Sequence, residues 1–142
     1  MEFKVSFLNP FEEEPVLFGN VSLNEIVEIF KKNSWSDILE KMGRDDIDEI
    51  IVDYYSPTLE IENESIKKKL SISALADSEN KVGFYIYYQR PKIQKRFFGL
   101  ITKTNNNYAT GGTPGLKEKD VIDCINAFTK HDHVFLTNKF GE

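Results

Sequence analysis

Phe3, Val5 and Phe7 alternate with Glu2, Lys4 and Ser6, so the chain opens with a strand that has one apolar face. Asn9-Pro10 and the run from Glu12 to Pro15 break that alternation, and residues 9–20 read as an acidic loop. Ser22 and Glu25 then have the spacing of a capping box, with Val21 and Ile26 placed as its hydrophobic staple. Leu23, Ile26, Val27 and Phe30 recur at i, i+3, i+4 and i+7, which predicts an amphipathic helix ending near Lys32. A shorter helix opens at Ser34 with Asp37 and is stopped by Gly43.

From residue 47 the texture changes to strands. Residues 47–55 are β-branched and aromatic, and Ser56-Pro57 ends them. Leu59 and Ile61 alternate with Glu60 and Glu62 in a short strand. Leu70, Ile72, Ala74 and Ala76 alternate cleanly, residues 77–80 form a turn, and Val82 to Gln89 resumes, so 69–90 reads as a hairpin. Pro91 punctuates, and Ile93 to Thr104 makes a further strand closed by Asn105, Asn106 and Asn107. The stretch Gly111 to Gly115 reads as a flexible surface loop before a helix over about 117–130, whose buried face is Val121, Cys124, Ile125 and Phe128. A last strand is expected near Val134 to Thr137. Strands in series joined by short turns predict an α+β fold, a mainly antiparallel sheet of about five to seven strands with two or three helices on one face. The whole of 1–142 is expected to form one domain.

Composition agrees with a packed core: 40% of residues are hydrophobic, and there are 11 Phe, 6 Tyr and 1 Trp. No apolar run approaches the roughly 18 residues a membrane-spanning helix needs. The start lacks the basic-then-apolar layout of a signal peptide. A lone Cys124 cannot form an internal disulfide, so a cytoplasmic, reducing location is expected.

The formal charge of −5 hides an asymmetry. Residues 1–64 carry a net charge of −11 and residues 65–142 a net of +6. If the halves interleave in one sheet, they neutralise each other. If they do not, an acidic face would attract and orient a basic partner. Duplex nucleic acid is disfavoured as a partner, because phosphate binding needs a clustered basic surface that the total charge does not oppose.

Three constellations invite chemistry. Asp45, Asp46, Asp48, Glu49 and Asp53 supply carboxylates, but acids at a strand entrance are ordinarily just solvated, and no calcium-loop spacing is present. His131 and His133 flank Asp132, yet zinc needs three or four ligands, and Cys124 could join His131 only along an unbroken helix. Gly111-Gly112 before a helix lacks the Gly-Lys-Ser/Thr of a phosphate loop. No metal or cofactor is therefore expected, and no catalytic residue is assigned. The aromatics Phe84, Tyr85, Tyr87 and Tyr88 fall on both faces of one strand, and Tyr is favoured at protein interfaces. Tyr54-Tyr55 beside Asp53 joins exposed aromatic to acid, which places the expected partner contact at Asp46, Asp48, Asp53, Tyr55, Glu60 and Glu62.

The hairpin from Leu70 through Tyr88 and the closing run from Pro114 to Phe128 resemble immunity proteins of bacterial polymorphic-toxin and contact-dependent inhibition systems. In one such family the Pro-led helix precedes a final strand that usually carries a Trp; here Val134 to Thr137 has none. The resemblance implies a non-enzymatic inhibitor that binds a cognate toxin, often a basic nuclease, and it transfers no binding residue. Two other readings compete with it. One is a small enzyme using the carboxylates or Cys124 with His131. The other is a single-strand nucleic-acid binder using Arg90 to Phe98.

Overall fold

The computed structural model describes residues 3–43, 56–76, 79, 81–96 and 99–142. Ten elements follow one another: β1 (Phe3–Leu8), β2 (Val16–Val21), α1 (Leu23–Lys32), α2 (Trp35–Met42), β3 (Thr58–Asn63), β4 (Lys68–Ala76), β5 (Val82–Arg96), β6 (Ile101–Gly111), α3 (Glu118–Thr129) and α4 (His133–Phe140). The strands form one antiparallel sheet in the order β2-β1-β3-β4-β5-β6. The fold is α+β, and the described residues form six strands and four helices, one helix more than the upper sequence expectation.

Alternation decides which residues enter the core. Phe3, Val5 and Phe7 of β1, Leu59 and Ile61 of β3, Leu70, Ile72 and Ala74 of β4, and Phe84, Ile86 and Tyr88 of β5 are all buried. Register places them on the same side: Val5 faces Ile61, Ile61 faces Leu70, and Leu70 faces Tyr88. Helix periodicity supplies the other half of the core: Ile26 and Phe30 from α1, Trp35 from α2, and Val121, Cys124, Ile125 and Phe128 from α3. Trp35 is the keystone. Its ring meets Phe7 and Phe84 edge-on at 5.4 and 5.5 Å, and its Nε1 donates to the Phe30 carbonyl at 2.9 Å.

Several expected elements are corrected. The acidic loop 9–20 is a turn followed by β2: Asn9 Oδ1 accepts from the Phe11 amide at 3.0 Å, and Val16 to Val21 returns beside β1. The glutamates obscured a short apolar strand, which tolerates Gly19 at φ 77° next to the register shift between Val5 and Ser6. Pro91 does not end β5; it sits at the register shift between Arg90 and Lys92, where a missing N–H is harmless. The expected strand 93–104 is therefore two arms of one long hairpin, and Asn105 to Asn107 lie within the edge strand β6. The final strand at Val134 to Thr137 is instead helix α4, because Asp132 caps it by accepting from the Phe135 amide at 3.1 Å. The expected strand over 47–55 lies outside the described residues.

The loop after β6 is tied rather than flexible. Phe84 and Leu116 exchange backbone hydrogen bonds, both at 2.9 Å, and the Gly112 amide donates to the Ile86 carbonyl at 2.9 Å. Gly111 at φ 121° and Gly112 at φ 89° allow this close return, since a Cβ at Gly111 would collide with the Ile86 carbonyl.

Candidate functional site: the open face of the sheet

The pleat that buries Phe, Ile and Leu on one side sends a different set to the other. Lys4, Glu62, Lys69 and Gln89 form one row across four strands. Ser6, Glu60, Ser71 and Tyr87 form the next, and Leu8, Thr58, Ser73 and Tyr85 the third. Among the described elements, the helix residues buried in the core pack on the opposite side, with Phe7, Phe84 and Tyr88. The face is small and polar at its centre, where Thr58 Oγ1 and Ser73 Oγ share a hydrogen bond of 2.7 Å and Ser73 is itself buried; exposure rises toward Tyr87. Beside it Tyr85 and Tyr87 pack edge to face, ring centroids 6.0 Å apart at 88°.

Tyr87 is 43% exposed, high for an aromatic in the middle of a sheet. Its phenol lies against Gly112, where a Cβ would come within 2.5 Å of the hydroxyl oxygen. The glycine loop thus buttresses the ring. Sequence reasoning placed aromatics on both faces of β5 but gave this loop no role; two adjacent glycines following the partner strand of an aromatic strand were the available signal.

Of the residues expected to contact a partner, Glu60 and Glu62 lie on this face, in the same rows as Ser71 and Tyr87 and as Lys69 and Gln89. Asp46, Asp48, Asp53 and Tyr55 lie outside the described residues. Glu60 is engaged with Lys69 Nζ at 3.7 Å. That pair crosses the seam between β3 and β4, which is also the seam between the two halves of the chain. The halves do not interleave: β2-β1-β3 come from residues 1–64 and β4-β5-β6 from residues 65–142. Among the described strands the basic residues gather in β4, β5 and β6, while β2, β1 and β3 carry Lys4, Glu60 and Glu62, so the sheet is laterally asymmetric in charge.

The other sequence candidates resolve differently. Cys124 is fully buried in α3, and burial pushes its thiol up to about 12, far from the thiolate that a nucleophile requires at neutral pH. Helix α3 stops at Thr129 and His131 takes a left-handed φ of 59°, so the unbroken helix needed to align Cys124 with His131 is absent. His133 Nδ1 is 2.8 Å from the Tyr88 hydroxyl, and partial burial followed by the nearby Lys68 and Arg90 charges lowers its pKa. Among the described residues, no group of three His, Cys, Asp or Glu is arranged to hold a metal ion.

Arg90, expected to lead a basic-aromatic stacking strip, is turned inward and only 5% exposed. Its guanidinium lies 4.7 and 4.8 Å from the Tyr88 and Tyr108 ring centroids. It donates to the carbonyls of Tyr88 at 2.8 Å and Gly141 at 2.9 Å, and to Thr110 Oγ1. Those bonds fasten the end of α4 to the sheet and leave the guanidinium no free face for a base. Phe97 and Phe98 lie outside the described residues. No described helix is long and apolar enough to cross a membrane. Comparison with protein-family models, curated proteins and solved structures gives no match.

Proposed function

We propose that the chain is a protein-binding module, and specifically a non-enzymatic immunity protein that neutralises a cognate basic toxin. The observation that carries this reading is the Tyr85–Tyr87 pair, with Tyr87 43% exposed, on the sheet face that also carries Glu60 and Glu62 two strands away. Tyrosine supplies a large rigid contact area with a hydroxyl at low entropic cost, and such residues concentrate binding energy. The net charge of −11 over residues 1–64 would supply a field that speeds encounter with a basic partner. The family resemblance of the hairpin and the Pro-led helix supports the same class. Among the described residues, a Cys124–His131 pair has no comparable geometric support, since Cys124 is buried and helix α3 stops at Thr129.

The test is co-expression. A basic protein captured from source-cell lysate and released by salt is expressed with and without this chain in a heterologous host. Toxicity abolished by the chain, and restored when Tyr85 and Tyr87 are both replaced by Ala, is the expected result. Charge reversal at Asp46, Asp48 and Asp53 is expected to slow association at low salt; unchanged kinetics would remove those residues from the contact. Neutralisation that survives the double Tyr replacement would remove the open face from it.

A further inference from the structure

The two edges of the sheet are built unalike. β6 ends the sheet with Lys103 and the run Asn105, Asn106, Asn107, the polar dressing that discourages strand pairing. β2 ends it with Val16, Leu17 and Phe18, which are 41, 69 and 40% exposed, and its six residues include no charge and no proline. It pairs with β1 alone, so its outer row of backbone N–H and C=O groups has no strand partner among the described residues.

Beside that edge lies a groove of about 610 Å³ between β2 and α1, with an apolar floor of Phe18, Val21 and Ile29. Its rim carries Glu25, Glu28 and Lys32, a net of −1, with Lys32 and Glu28 paired at 3.1 Å and Glu25 outside that pair. The residues leading into β2 add Glu12, Glu13 and Glu14, all exposed. Asn33 closes the lining, and its Nδ2 is buried with no hydrogen-bond partner among the described residues.

We infer that this edge and groove receive an extended basic segment of a partner protein, which adds to β2 as a seventh strand with its apolar residues in the groove. Main-chain bonds along the edge would give affinity, and alternate side chains would give specificity. Charge selects the occupant. Antiparallel pairing with a second copy of this chain would bring the Glu12–Glu14 end of each β2 toward Glu25 and Glu28 of the other, a repulsive arrangement. A segment alternating apolar with Lys or Arg meets both the floor and the rim. This inference does not depend on the Tyr85–Tyr87 reading, because the two surfaces share no residue.

The probes are three ten-residue labelled peptides: alternating Val and Lys, alternating Val and Glu, and the Val–Lys composition with the two residue types segregated. Anisotropy at low salt is expected to show the alternating basic peptide binding at least tenfold more tightly than the other two. Hydrogen exchange should slow at residues 16–21 in its presence. Phe18→Lys is expected to weaken it at least tenfold with an unchanged circular dichroism spectrum. The pair Glu25→Lys with Glu28→Lys should transfer preference to the acidic peptide, a reversal that a merely misfolded variant would not show. Equal binding of all three peptides, no binding of any, or protection away from β2 overturns the inference. Concentration-dependent dimers with protection at 16–21 would overturn it too, assigning the edge to a second copy.

Discussion

The two faces of the sheet come from the same strands, residue by residue, yet they obey different rules. The covered face is continuous hydrocarbon and aromatic ring, from Phe3 and Phe7 through Ile72 to Tyr88, closed by Trp35, Phe30 and Phe128. The other face is mostly hydroxyl, carboxylate, ammonium and amide with two tyrosines, and among its apolar residues are Leu8 and Leu75. Burial of apolar area fixes the first at roughly 25 cal/mol per Å². Among the described residues the second buries less apolar area, and Tyr87 stays 43% exposed on it, so residues there answer less to packing and more to what they meet. The contrast teaches where to look: stability should be read from one face and recognition from the other.

The sharpest way to break that division is to remove a keystone of the covered face. Trp35→Ala deletes three ring contacts with Phe7, Phe30 and Phe84 and orphans the Phe30 carbonyl that Nε1 now satisfies. A loss of about 3–5 kcal/mol is expected, measured as a lower urea midpoint. A loss below about 1 kcal/mol would mean that the helical layer is not the principal support of the sheet.

Gly111 tests the place where the faces communicate. Its φ of 121° and the proximity of the Ile86 carbonyl leave no room for a methyl group. Gly111→Ala is expected to cost about 2 kcal/mol, within the range for a strained backbone. Gly99, at φ 83° with nothing near its absent Cβ, is the control, because alanine there meets the torsional strain alone. Equal losses at the two sites would show that the close approach of Gly111 to the Ile86 carbonyl adds nothing to the torsional strain.

The covered face was legible in the sequence because burial imposes period. Phe3, Val5, Phe7 and Leu70, Ile72, Ala74 follow the strand alternation, and Val121, Cys124, Ile125, Phe128 follow the helical one. Competition between local signals defeated the rest. Three glutamates and two prolines between residues 10 and 15 outweighed the short apolar run of β2. Val134, Phe135 and Leu136 have strand propensity, but a single side-chain bond from Asp132 starts a helix there. Pro91 and the three asparagines signalled breaks, which a bulge and an exposed edge absorb. The candidate site was legible in part: Glu60, Glu62 and the tyrosines of β5 were visible as residues, whereas their assembly into one surface required the order of the strands.

The smallest expected effect sharpens the comparison most. Glu60 and Lys69 pair at 3.7 Å on the open face, with side chains 29 and 27% exposed, so solvent screens much of their attraction. Glu60→Gln is expected to change stability by no more than about 0.5–1 kcal/mol. A double-mutant cycle with Lys69→Met isolates the pairwise term, since each replacement removes one end of the pair. A coupling well above 1 kcal/mol would mean that the seam between the acidic and basic halves is a structural fastening, and that the open face also bears load. A coupling near zero leaves Glu60 dispensable to the fold, so any slowing of partner association by the same replacement would have to come from recognition.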